Sequence, residues 1–236
     1  MHRTALTERV LLIYSGALTG VLSIVLLSGS GAPRTNASFD QIEVHRINVV
    51  EPDGTIRLVI SDQSRFPGLI VKGKEYAHDR ETAGMLFFND EGTENGGLIF
   101  GGSKDKSGKV RSWGHLSFDQ YMGDQVVVLD AAEEDGQRHS GIQFVDEPDI
   151  PMSEITGALM LPPARREARL QQLFSKDKPE QRAYLGRRSD RSAALLLKDP
   201  QGRDRVVMAV SADGNPSLQF LDEQGKVLAQ FPKEAR

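Results

Sequence analysis

Apolar residues follow two regimes along this chain. From Val10 to Leu27 they form one block, VLLIYSGALTGVLSIVLL, eighteen residues without a charge and with only Tyr14, Ser15, Thr19 and Ser23 as polar interruptions. From Phe39 onward they fall into short runs separated by turn residues. As a helix the block rises about 27 Å, and with its uncharged flank Ser28 to Ala32 it matches a hydrocarbon core of roughly 30 Å. The pattern therefore predicts a transmembrane helix over residues 10–28. A cleaved signal peptide is the alternative. Its apolar region would be only about 7–15 residues long, and Pro33 follows the nearest small-residue cleavage site, Ser30 to Ala32.

The flanks set an orientation. Arg3, Arg9 and the terminal amine oppose Arg34 and Arg46 on the other side, so the positive-inside bias places residues 1–9 in the cytoplasm and the C-terminal domain outside it, periplasmic or extracellular. Gly16 and Gly20 form a GxxxG pair beside Ser15, Thr19 and Ser23, a stripe on which a second helix can approach closely. Residues 29–38 are small and polar and read as a flexible tether. Asn36-Ala37-Ser38 matches the glycosylation acceptor pattern, which carries meaning only in a eukaryotic secretory setting.

The second regime is β-grammar. Ile42 to Val50 and Ile56 to Ile60 flank Pro52-Asp53-Gly54, a hairpin signal. In the second run Ile56, Leu58 and Ile60 share one face and Arg57 and Val59 the other, as in half-buried sheet. A unit reading small residue, apolar, any, Phe then recurs as Gly97-Leu98-Ile99-Phe100, His115-Leu116-Ser117-Phe118, Gly141-Ile142-Gln143-Phe144 and Ser217-Leu218-Gln219-Phe220, with Gly84-Met85-Leu86-Phe87-Phe88 and Pro67-Gly68-Leu69-Ile70-Val71 as looser versions. Asp, Asn or Gly follows, so each unit reads as a strand ending in a tight turn. Its uneven spacing excludes a strict solenoid and fits a degenerate array of hairpins. Gln125 to Asp130 and Val206 to Val210, rich in β-branched residues, read as strands buried on both faces. About a dozen strands follow, the profile of an all-β antiparallel domain built as a sandwich, an irregular barrel or stacked meanders.

One segment breaks the grammar. Residues 147–191 hold Pro148, Pro151, Pro162 and Pro163, then a helical stretch from Ala164 to Ser175 with Leu170, Leu173 and Phe174 on one face. Residues 165–191 carry nine Lys or Arg against four acids, whereas the whole chain has a net charge of −4. Arg165, Arg166, Arg169, Arg187 and Arg188 are the candidates for contact with lipid headgroups or an acidic partner; a solvated insertion is the alternative. The expected organisation is thus β-domain 39–146, Pro-rich basic insertion 147–191 and hairpin module 192–236, the last belonging to the same β-architecture.

Composition narrows the function. The acidic balance and the single Trp argue against nucleic-acid binding. The absence of cysteine removes disulfides, thiolate metal sites and thiol nucleophiles. No phosphate-cradling, dinucleotide, GxSxG or HExxH motif occurs, and the five histidines are scattered. The loop residues Asn89, Asp90, Glu91, Glu94 and Asn95 are the candidate Ca²⁺ ligands, although they lack the order of an EF-hand. Trp113 with Tyr121 is a candidate sugar-stacking surface. No cofactor is expected. These features favour a non-enzymatic single-pass protein, an accessory, structural or scaffolding subunit with the bilayer and other membrane or envelope proteins as partners and homo-oligomerisation open. An envelope glycan- or ligand-binding module and an enzyme of unrecognised type are the alternatives.

Overall fold

The computed structural model describes residues 2–28, 36–78 and 80–233, with the side chains of residues 2–6 and 25–28 set aside. Most of the expected tether, residues 29–35, lies outside the described residues. The chain divides into two units, Met1–Glu43 and Val44–Arg236.

The first unit contains α1 (His2–Ser28), about 40 Å long at 1.5 Å per residue. Side chains from Thr7 to Ile24 are exposed, and the apolar ones surround the helix instead of gathering on one face. Among the described residues no helix is long and apolar enough to cross a membrane. The last part of the expected span, Val25 to Leu27, falls among the side chains set aside.

The second unit is mostly antiparallel sheet. In chain order it contains β1 (Arg46–Val50), β2 (Ile56–Ser61), β3 (Leu69–Val71), β4 (Lys74–Tyr76), β5 (Ala83–Phe88), β6 (Glu94–Lys104), β7 (Val110–Asp119), β8 (Gln125–Glu134) and β9 (Gln137–Asp146). Two helices, α2 (Met152–Leu159) and α3 (Pro163–Leu173), lead to β10 (Glu180–Arg187), β11 (Ala193–Lys198), β12 (Asp204–Val210), β13 (Pro216–Leu221) and β14 (Val227–Phe231). Twelve of the strands form one sheet in which every strand pairs with its neighbours in sequence, only β3 and β4 standing apart as a two-stranded ribbon. Of the three architectures expected, the sheet is a meander, open and unclosed.

The turns explain the meander. In the loops beginning at Asn89, Asp105, Asp199 and Asp222, the side-chain Oδ1 accepts N–H groups from residues two and four further on. The fourth residue of each loop is a glycine at positive φ, Gly92, Gly108, Gly202 or Gly225. This is a type I turn closed by a bulge, a standard hairpin loop, so each strand folds back on its predecessor.

Alternation along the strands gives the sheet two unlike faces. On one face Val59, Leu86 and Phe88 are buried against Ile70 of the ribbon, with Phe66 and Ile99 beside them. The next ribbon residues along, Leu69 and Val71, point the other way and pack on Met152 of α2, together with Ile155, Leu159 and Met122. Sheet, ribbon and helix thus form successive layers over the first half of the sheet. Among the described residues of this unit, no such layer covers the opposite face.

Three sequence expectations change accordingly. Gln125–Asp130 and Val206–Val210 are not buried on both faces: Val128 is buried but Leu129 is 52% exposed, and Met208 and Val210 are exposed. A one-layer sheet covers at most one face there. In β2 the buried face is that of Val59 and Ser61, whereas Leu58 and Ile60 lie on the open side. Within 147–191, α3 coincides with the expected helix and begins at Pro163, but α2 precedes it and β10 is a full member of the main sheet. Prolines and arginines masked those two elements, whose formation depends on packing and on pairing with β9 and β11.

Candidate functional site

The open face is the largest chemical feature of the molecule. Cross-strand register places Ile47, Ile60, Met85, Leu98, Leu116, Leu129, Ile142, Leu185, Leu195, Met208, Leu218 and Phe231 in one unbroken row, one residue from each of the twelve strands. None of these side chains is buried. A second row lies beside the first: Phe87 on β5, Gly96 on β6, Phe118, Val127, Phe144, Ala183, Leu197, Val206 and Phe220. The Phe87 and Phe118 rings stack at 6.1 Å between centroids, above Gly96 of the intervening strand. On the other side of the central row runs a third, Ala83, Phe100, Gly114, Ala131, Ser140, Arg187, Ala193, Val210 and Pro216.

These rows account for the recurrent sequence unit. Strands β5, β7, β9 and β13 run in the same direction, so their apolar residue falls on the central row and their Phe, two positions later, on the second. Strand β6 runs the opposite way and carries its Phe100 into the third row. Almost every strand from β5 to β13 therefore presents one bulky and one smaller side chain on either side of the centre. Arg187 is the sole ionisable residue on the three rows.

On the covered face, next to α2, lies a polar cleft of about 170 Å³ lined by His78, Arg80, Glu94, Asp119, Asp124 and Gln125 above Leu69, Met152, Ile155 and Leu159. Arg80 donates to Glu94 at 2.9 Å, both side chains being 15% exposed. Burial raises the Glu94 carboxyl, and Arg80 opposes that rise. Asp119 Oδ1 is buried with no hydrogen-bond partner among the described residues. Burial, then the charges of Asp124 and Glu94, push the Asp119 carboxyl up to about 7, and burial with Asp124 pushes Glu147 up to about 7. Asp119 in the cleft thus retains a proton close to neutrality, able to donate a hydrogen bond or exchange a proton there. An adjoining space of about 340 Å³ extends over Ile99, Trp113, His115 and Ser117.

The other residues singled out by sequence are dispersed. A Cβ built on Gly16 or Gly20 meets nothing within 4 Å, so that helix face is open. In the loop from Asn89 the oxygens have separate duties: Asn89 caps the turn, Asp90 pairs with Arg57, Glu91 accepts from the Tyr121 hydroxyl at 2.7 Å and Glu94 pairs with Arg80. Asn95 sits in β6. Among the described residues no group of three or more acids and histidines is arranged to hold a metal ion. Arg165, Arg166 and Arg169 lie on α3, where Arg169 pairs with Glu154 of α2 at 2.9 Å. Arg187 and Arg188 lie at the far end of β10, where Arg187 donates to the Arg138 carbonyl and Arg188 to Ser192 Oγ. Trp113 sits in β7, eight residues before Tyr121 in the following turn, roughly 26 Å away along an extended chain. The sugar-stacking pair is not assembled.

No protein family matches the chain, and no curated protein is similar to it.

Proposed function

We propose that this chain is a non-enzymatic, single-pass membrane protein whose extracytoplasmic β-sheet serves as an accessory or scaffolding subunit of a membrane assembly. One observation carries the reading: α1 exposes apolar side chains around its whole circumference from Val10 to Ile24. A helix apolar on all sides requires an apolar surrounding, either a protein core or a bilayer. The eighteen-residue uncharged run in the sequence, completed by Val25 to Leu27, supports the bilayer. Gly16 and Gly20 offer a site for a partner helix. The exposed sheet rows offer a second surface for protein partners, and the cationic α3 a third.

Alkaline extraction of native membranes tests the anchor. The full-length protein is expected to remain in the pellet, and protease added outside the membrane is expected to digest the β-sheet while sparing α1. Release into the supernatant overturns the reading. A second reading, ligand binding, is favoured by the 340 Å³ space beside Trp113 and His115; it predicts that Trp113→Ala abolishes binding of an envelope saccharide to the same protein.

A further inference from the structure

We propose that the open face of the sheet is closed by a second copy of this chain, packed face to face about a two-fold axis parallel to the central apolar row. The nine strands β5 to β13, about 4.8 Å apart, with five residues of each strand spanning roughly 17 Å, give a face of about 650 Å². That exceeds the largest apolar patch usual for a monomer, roughly 300–600 Å². Two copies would bury about 1,300 Å², within the range of specific protein–protein interfaces, roughly 1,200–2,000 Å².

Shape favours an identical partner. Rotation by 180° about the line of the central row lays the second row of one copy on the third row of the other, strand over strand near the axis. Phe118 then meets Gly114 and Phe144 meets Ser140, while Phe100 and Arg187, bulky members of the third row, meet Gly96 and Ala183, small members of the second. Bulk sits on void in both directions, as an isologous interface demands. Sheets so joined stand about 10 Å apart with strand directions within about 30° of each other, the geometry of a sandwich. Each copy would supply the layer that the other lacks.

The absence of cysteine makes the test direct. Leu129 lies on the central row of a strand in the middle of the sheet, and its neighbour Asp130 points to the opposite face. In full-length solubilised protein, a short bifunctional thiol reagent, which spans the gap between sheets about 10 Å apart where a direct disulfide cannot, is expected to crosslink Leu129→Cys into a dimer at least 10-fold faster than Asp130→Cys. Circular dichroism confirms that both variants keep their sheet. Ile142→Cys, next along the row, is expected to behave as Leu129→Cys does. The proposal is overturned if folded Leu129→Cys and Ile142→Cys stay monomeric or if Asp130→Cys crosslinks equally fast. A fluorophore on Leu129→Cys quenched by brominated lipid in reconstituted vesicles would overturn it as well, since lipid would then cover the face. The crosslink reads the sheet alone, so it stands or falls separately from membrane extraction, which reads α1.

Discussion

The two halves of the sheet follow one strand grammar and reach different degrees of burial. Strands β2 to β7 carry a core on one face because the chain between β2 and β5 returns as a ribbon and α2 closes over it, burying Val59, Ile70, Leu86 and Phe88. From β8 to β14 only Val128, Ser192 and Ala194 are buried within strands or their turns. There the covered-side equivalents are mixed: Gln143 is bonded to Gln181 and Gln219 to Gln230, while Leu196 and Val207, in the same row, are only half-buried. Tyr184 lies across Gly141 and Gly186, its ring occupying the space a side chain would fill. Burial in this molecule is thus decided by what crosses over a strand. Hydrophobicity of the strand does not decide it, since the more apolar face is the uncovered one.

The largest test of that contrast is in the covered half. Leu86→Ala is expected to cost about 3 kcal/mol in denaturant unfolding, since it empties the centre of the cluster. A loss below about 1 kcal/mol would mean the ribbon does not seal that core. Next comes the buried acid. Because the folded Asp119 carboxyl titrates near 7 and the unfolded one near 3.8, the native state binds the extra proton between those values. Stability therefore falls as pH rises from about 4 through about 7. Asp119→Asn should flatten that decline and add about 2 kcal/mol at pH 8, roughly half the full linkage value because the cleft is partly hydrated. Thermal melts across pH 4–8 measure it, and an unchanged pH profile would remove Asp119 from the account.

On the open face, Leu185→Ala should cost about 2 kcal/mol at protein concentrations where copies are paired and under about 0.5 kcal/mol at dilutions where they are separate. An equal cost at both concentrations would show that the face gains nothing from a second copy. The smallest effect is expected at the exposed Arg169–Glu154 pair joining α3 to α2. Arg169→Ala should change stability by less than about 1 kcal/mol, and less still in high salt.

Short-range features of the fold were open to reading. The Asp and Asn residues that start turns and the glycines that end them, at Asn89, Asp199 and Asp222, marked hairpins because their bonds are local. The alternation in β2 and the recurrent Phe unit were visible too, and so was α3, fixed at its start by Pro163. The acid cleft was hidden, since Arg80, Glu94, Asp119 and Glu147 are far apart in sequence and their shared burial exists only once β6, β7 and α2 meet. The apolar rows were half visible. The unit supplied the residues, but only the register of each strand against the next aligned them.

By itself, then, the sequence determined the strands, their turns and the apolar character of the first helix, all of which rest on interactions within a few residues. The tertiary structure alone decided that the sheet stays open, that Val59 and not Ile60 faces the core, and that twelve distant residues form one row. Those outcomes depend on which segment crosses which face, and a path through space leaves no local pattern in the chain.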